Sequence, residues 1–435
     1  MKKSTYYLGL SAMVFALVRC GRHDSKKSAD QGELSSKISE MSDISASDGA
    51  VSVLFQSSAA PIALLRACTA EEKTHIFTST GPLVMPACSL TFDNSSQILK
   101  RSVKFLGSTV SGSILDCNGG SIQPPVTSGE TISVQSKLEG STWSVPKNII
   151  IKNCAIMGST RVYGLGVNGE APLVRESSRR EGHTERAQEA APSGIHIVGN
   201  QITANVASPI YLGPGVTDTT IESNNIKGES NSVSIYLDAE SAGNKIVKNR
   251  FGVQSKSREV IAVDGSRLNT ISGNYMSGLT FGGIFIYRNC GEGGTVRHQQ
   301  PTHNAIINNF FYYDKATNAN ARPAVHLASR NGNRRYCGDD NGFPWGSSQS
   351  NLDFANRNLV VDNQIRKLSA SSVIINSGVM NAIGRNATVS ERQSTRSGCP
   401  KFNGFENTIG FLGEGQTAEI LNRSFQCQNG ELVPK

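Results

Sequence analysis

The sequence predicts an all-β solenoid, a parallel β-helix of short stacked strands, and three observations carry that expectation. The first is a recurring Asn, any, Ile or Val, any, any, Asn, any, apolar pattern at 148–153, 244–249, 269–274, 304–309 and 358–363, with degenerate copies ending at Asn200 and Asn224. The second is its period: from Asn200 through Asn224 and Asn249 to Asn274 the steps are 24, 25 and 25 residues, the range of a stacked repeat. The third is the unit itself, which consists of short β-branched runs bounded by Gly, Asn and Ser with no apolar stripe at helical spacing. Composition agrees. With 37% hydrophobic, 6% aromatic and 18% charged residues and 43 Gly in 435, the chain is neither disordered throughout nor a helical bundle.

Taken in chain order, the first segment is a leader. Lys2 and Lys3 precede a continuously apolar run from Tyr6 to Val18, too short to span a bilayer as a mature helix, and the run ends in Leu17-Val18-Arg19-Cys20. That ending resembles a bacterial lipobox, with Arg19 where the pattern has a small residue. It implies export to the periplasm, the cell surface or the medium, with a lipid at Cys20 as the one tie to a membrane. Residues 21–50, rich in Ser, Lys, Asp and Glu, read as a flexible tether. Residues 51–82 read as an N-terminal cap with one or two helical turns over Pro61 to Ala67, residues 83–410 as the solenoid, and 411–435 as a C-terminal cap segment. Setting Cys20 aside leaves eight cysteines without CxxC spacing, which suits disulfides in an oxidising compartment. Cys68 with Cys88 and Cys399 with Cys427 would staple the two ends, and Cys290 with Cys337 would tie two loops together.

A second strand follows each second Asn by 11 to 13 residues, as in Ile210-Tyr211-Leu212, Ile235-Tyr236-Leu237, Ile261-Ala262-Val263, Ile284-Phe285-Ile286 and Val325-His326-Leu327. On these residues the chain resembles the right-handed parallel β-helix superfamily of pectate-lyase-like proteins over roughly 83 to 410, and its internal Asn resembles that family's asparagine ladder. A buried Asn at one corner would bond its own turn and the Asn of the next rung, satisfying groups that a tight bend orphans. The resemblance implies a right-handed coil and activity of the polysaccharide lyase or epimerase kind.

In-register stacking lets outward positions be read as columns about 4.8 Å apart per rung. One column holds Tyr211, Tyr236, Ala262, Phe285 and His326, and the next holds Gly213, Asp238, Asp264, Tyr287 and Ala328, with Glu240, Arg267, Arg288 and Arg330 at the strand ends. Asp238 over Asp264 would repel unless offset by Ca²⁺, by a shared proton, or by Arg267 and Arg288. Arg297 and His298 lie in an insertion beside this face. Glu170 to Pro192, with four Arg among five Glu of alternating sign, reads as a solvated flap that need not touch anything.

The excess of 43 Lys and Arg over 35 Asp and Glu, without a basic run or nucleic-acid module, points to an acidic ligand such as a uronate polymer rather than nucleic acid. No GxSxG, HExxH or P-loop is present, nor the Asn-Thr-Asp and Gly-His-Gly strands of the fold's polygalacturonase-type hydrolases. The expectation is therefore a monomeric polysaccharide lyase working by β-elimination, or a uronate epimerase. Arg288 or Arg267 would neutralise the uronate carboxylate, with Ca²⁺ on Asp238 and Asp264 as the one cofactor considered. His326 or Tyr236 would be the base and Tyr287 the acid. Tyr211, Glu240, Arg267, Phe285, Arg297, His298 and Arg330 would hold substrate. Two rivals are a glycoside hydrolase using Asp238, Asp264 and Glu240, and a non-catalytic carbohydrate-binding β-helix.

Overall fold

Each coil of the chain lays down three short strands, and equivalent strands of successive coils pair in parallel to make three sheets of ten strands each. The computed structural model describes residues 64–313, 322–329, 340, 342–346, 355–366 and 373–389, with strands between 399 and 434. The expected leader, the lipobox-like Cys20 and the expected tether lie outside the described residues. Among those residues, no helix is long and apolar enough to cross a membrane. Sheet 1 runs from Leu83–Val84 to Ile374–Asn376, sheet 2 from Leu90–Thr91 to Ala382–Gly384, and sheet 3 from Ile98–Leu99 to Ala387–Val389. The chain is a parallel β-helix.

Alternate side chains of a strand point inward. Sheet 1 sends in Ile210, Ile235, Ile261 and Ile284, sheet 2 Ile197, Ile221, Ile246 and Ile271, and sheet 3 Ile226, Phe251, Met276 and Phe311, all fully buried in one core. Each such burial contributes about 1.5–3 kcal/mol. The stack is held in register by two asparagine ladders rather than one. Asn200, Asn224, Asn249, Asn274, Asn309, Asn363 and Asn386 form the first, each Nδ2 donating to the Oδ1 of the next at 2.9–3.1 Å. The first Asn of the repeat builds the second, in which Asn269 donates to Asn304 and Asn304 to Asn358 at 2.8 and 3.0 Å. The ladders sit at corners where the preceding residue is left-handed. Gly199 and Gly273 accept that conformation freely, whereas Lys248, Leu268 and His303 hold it at φ of 58°.

One copy of the repeat is displaced. Ile151 pairs with Ile197, so Cys154 and not Asn153 stands below Asn200, and the Cys154 amide donates to the Asn200 Oδ1 at 2.9 Å. A disulfide from Cys154 to Cys117 takes the ladder's place there.

The N-terminal cap helix, α1 (Ala70–Thr78), lies beyond the expected Pro61–Ala67. Residues 64–67 are extended, with Ala67 bridging Ser89. A capping box decides the start: Thr69 Oγ1 accepts from the Glu72 amide and Glu72 accepts from the Thr69 amide. Ile76 of α1 is buried in the core, and the Cys68–Cys88 disulfide staples this end as expected. Past the last coil strand, Ala387–Val389, come an antiparallel hairpin of Cys399–Asn403 with Asn407–Leu412 and a three-stranded antiparallel sheet from Thr417 to Pro434. Cys290 and Cys427 are disulfide-bonded. The side chains expected to partner them, Cys337 and Cys399, lie outside the described residues.

Candidate functional site

The parallel register of sheet 1 builds the outer column as read, Tyr211 beside Tyr236, then Ala262, Phe285 and His326, with Arg161 below Tyr211. Asp264 pairs with Tyr287 in the second column, and Asp238 follows Leu237 one rung below Asp264. The register therefore brings Tyr236, Asp238, Asp264, Tyr287, Phe285 and His326 onto one face.

Most of that face is not open. Asp238, Asp264, Glu240, Tyr287, Arg288 and Arg297 are each at most 3% exposed. Two helices, α2 (Pro172–Ser178) and α3 (His183–Ala190), occupy the segment read as a solvated flap. Their apolar side chains Val174, Ala187 and Ala190 pack with Leu165 and Ala171, and their polar atoms reach the sheet 1 face. Thr184 donates to a Glu240 carboxylate oxygen, Gln188 donates to the Glu240 carbonyl at 2.8 Å, and the Val296 amide donates to Ser178 Oγ at 3.0 Å. Alternating charge on a helix surface says nothing of the stripe beneath it.

Arg297, a residue expected to hold substrate, stands against the stacked acids. Arg297 Nη1 donates to Asp238 Oδ1 at 2.8 Å, Tyr211 donates to Oδ2 at 2.5 Å, and the Ala239 amide to Oδ1 at 2.8 Å. Asp264 accepts from Tyr236 at 2.6 Å and from the Asn289 amide and side chain at 2.8 and 2.6 Å. Burial alone would lower the Arg297 guanidinium, but Asp264 and Asp238 outweigh it and hold it well above its ordinary value. Burial, then the facing carboxylate, pushes both Tyr211 and Tyr236 well above the ordinary phenol range. All four oxygens of Asp238 and Asp264 thus accept from N–H or O–H donors, one of them a guanidinium. These two residues do not fit Ca²⁺, which needs free oxygens on every side. Among the described residues the one cluster at ligand spacing is Cys68, Glu72 and Cys88, whose sulfurs form a disulfide.

The other expected residues are distributed as follows. Arg267 is exposed at a corner, bridging Ala242, away from the network. Arg330 lies outside the described residues. Arg288 Nη1 donates to the Arg297 and His298 carbonyls at 2.8 and 3.1 Å, shaping the loop that delivers Arg297. Glu240, raised by burial and only partly offset by Thr184 and the His298 amide, ties the helices to that loop. His298 stacks edge-on against His183, with ring centroids 5.2 Å apart, and its Nε2 donates to the Ser178 carbonyl at 2.7 Å. Tyr236, Phe285 and His326 remain half-buried, on the side open to solvent. His326 packs edge-on against Phe285 at 5.2 Å, and burial, then Arg322, lowers its imidazole so that it stays neutral near pH 7.

No protein-family model and no curated protein matches this chain. Among solved structures, XylC in complex with xylose is similar at a TM-score of 0.34 and 14% identity, over 67% of this chain and 55% of that one. The chain thus spans about half that protein's length. A mutant of the periplasmic alginate epimerase AlgG is similar at a TM-score of 0.29 and 12% identity, over 68% of this chain and 79% of that one. A PL6-family polysaccharide lyase from Pseudopedobacter saltans is similar at a TM-score of 0.31 and 12% identity, over 73% of this chain and 90% of that one. The fold assignment rests on the sheets and ladders described above.

Sequence reading missed Arg161, Arg258, Glu259 and Asn289. Arg258 stands beside Tyr236, its guanidinium carbon 5.9 Å from the ring centroid. It pairs with Glu259 at 2.7 Å and donates to the Tyr287 hydroxyl at 2.5 Å. Burial would lower Arg258, but Tyr287 and Glu259 hold it above its ordinary value. Arg161 lies 4.3 Å from the centroid of the Tyr211 ring. Extending the column one rung upstream would have found Arg161; the helical insertion before Tyr211 broke the period that the extension needs.

Proposed function

We propose that this chain is an exported carbohydrate-active protein that cleaves a uronate-containing polysaccharide by β-elimination at the open part of the sheet 1 face. One observation carries the reading. A half-buried phenol, Tyr236, hydrogen-bonds to the buried Asp264 and stands beside a partly exposed guanidinium, Arg258. Arg258 would neutralise the substrate carboxylate and so acidify the proton on carbon 5. Tyr236 would take that proton while passing its own to Asp264. The electron pair left on carbon 5 forms the double bond to carbon 4, the carbon 4 to oxygen bond breaks, and Tyr236 protonates the leaving oxygen. An epimerase would use the same parts and return the proton to carbon 5 from the opposite face. His326 stands three rungs from Tyr236, about 14 Å at 4.8 Å per rung, so it would bind a neighbouring sugar with Phe285 rather than share the reacting one.

The hydrolase reading needs two of Asp238, Asp264 and Glu240 against the sugar, and their burial weighs against it. The binding-only reading draws support from the same burial, since it asks only for the aromatic and cationic surface. The test is ultraviolet absorbance of unsaturated product during incubation with a panel of uronate polymers. Tyr236→Phe should lower turnover by about 10² to 10⁴ and leave the protein folded. Reducing ends without absorbance would mean hydrolysis, and retained binding with neither signal and no inversion at carbon 5 would mean a binding protein. Either result rejects the lyase.

A further inference from the structure

The helical insertion carries a pocket that the sheet 1 site does not use. It is an open groove of about 430 Å³ lined by Pro172, Arg175, Glu176, Arg179 and Arg180. Three guanidinium groups face one carboxylate. Arg180 and Glu176 stand 3.8 Å apart with both side chains more than 60% exposed, a weak pair. Among the described residues, Arg175 and Arg179 have no carboxylate within ion-pair distance. The Arg175 Nη2 donates only to the Glu170 carbonyl at 3.3 Å, and its Nε is buried without any acceptor. A buried guanidinium N–H without a partner costs free energy that a bound acceptor would recover.

The turn Gly291–Gly294 packs beside these side chains, Gly293 against Glu170 and Gly294 against Arg179 and Arg175. Gly293 and Gly294 have φ of 67° and 73°, and a Cβ at position 294 would lie 3.5 Å from Arg179 Nη2 and 3.8 Å from Arg175 Cδ. A bare backbone here lets the guanidinium groups crowd the turn and leaves the space before them free. The same turn reaches the sheet 1 face, because Asn289 Nδ2 bonds both Glu292, at 3.1 Å, and Asp264.

We infer that this pocket is an oxyanion site for an acidic saccharide, in which Arg175 and Arg179 grip a carboxylate or sulfate group on a sugar lying outside the reacting position. The identification of the ligand as a saccharide rests on the function proposed above; the oxyanion chemistry does not. Charge-assisted hydrogen bonds from two guanidinium groups suit that group, and a neutral sugar offers them acceptors without the opposite charge.

Calorimetry on the mature protein tests this, with a galacturonate trimer, its methyl ester and inorganic sulfate as probes. The free acid should bind in a salt-dependent manner, sulfate should compete, and the ester should not bind this pocket. Arg175→Gln with Arg179→Ala should weaken that binding by tenfold or more. Because those changes also touch helix packing, Gly294→Asp serves as a second variant. Asp is among the side chains that enter the left-handed backbone, and its carboxylate, starting 3.5 Å from Arg179 Nη2, would pair with that guanidinium from within, weakening external binding in a protein that stays folded. Unchanged trimer affinity in both variants overturns the inference, as does failure of both the trimer and sulfate to bind the wild type. Turnover of the polymer with unchanged binding in these variants rejects the pocket and keeps the lyase. Pocket binding without turnover of any uronate polymer supports the pocket and rejects the lyase.

Discussion

The pair Asp238 and Asp264 shows how a single residue far along the chain changes the meaning of two others. Stacked acids repel, and on that ground alone Asp264→Asn ought to leave stability level or improve it. Arg297 on Asp238 and the three donors on Asp264 remove that advantage. An amide at 264 offers one acceptor oxygen where the carboxylate offers two, so one of Tyr236 or Asn289 loses its partner at a cost of about 1–3 kcal/mol. The expected outcome is a lower melting temperature, and an unchanged or higher one would mean that repulsion dominates. Arg297→Met is harsher. It leaves Asp238 buried without its cation, worth about 3–5 kcal/mol, and denaturant midpoints should fall accordingly.

At the scale of elements, the ladders and the helical insertion fail differently under perturbation. Asn249 accepts from Asn224 and donates to the Ile221 and Val247 carbonyls and to Asn274. Asn249→Ala should therefore cost several kcal/mol, since about 1–3 kcal/mol attaches to each orphaned buried group, seen as a fall in urea midpoint; a loss below 1 kcal/mol would argue that water enters the corner. The docking of α2 and α3 should depend on pH. His183 is buried between Ser177, Arg186, His298 and the Arg297 loop, and burial, then His298, Arg186 and Arg297, lowers its imidazole to about 3. An exposed histidine titrates near 6.5. The docked form binds fewer protons across that window, so docking is complete above about 6.5 and weakens as pH falls toward 3. His298, also lowered, acts in the same direction. Hydrogen-exchange protection of 172–190 should drop between pH 7 and 5 in the wild type and drop less in His183→Gln. Equal losses in the two would remove His183 as the cause.

Across the whole molecule, disulfides replace what a small end rung cannot bury. Cys68–Cys88 closes the cap, and Cys117–Cys154 continues the corner where the asparagine ladder stops. Cys290 and Cys427 are also oxidised, so titration of the denatured, unreduced chain beyond Cys20 should find almost no thiol. Two or more reactive thiols would contradict an oxidising compartment. Because each coil touches chiefly its neighbours, stability is a sum along the axis, and removing Cys117–Cys154 should act at the N-terminal coils, by about 2–4 kcal/mol, rather than on the sheet 1 site.

By itself the sequence determined the register. Asn224, Asn249 and Asn274 recur at the coil length because each corner needs a buried amide, and that necessity is local, repeated and visible in the chain. It therefore placed Tyr211, Tyr236, Phe285 and His326 in one column before any coordinates. It slipped by one residue at Asn153, where a cysteine stands in for the ladder and the pattern has no Asn to mark the true position. What only the tertiary structure decided is which face meets solvent and which charges meet each other. The helices that cover Glu240 come from an insertion outside the period, whose buried stripe of Val174, Ala187 and Ala190 is too short to stand out among its charges. Arg297 and Arg258 reach their partners through loops whose course follows no repeat. Burial and charge pairing depend on distances between segments remote in the chain, and no spacing within one segment encodes them.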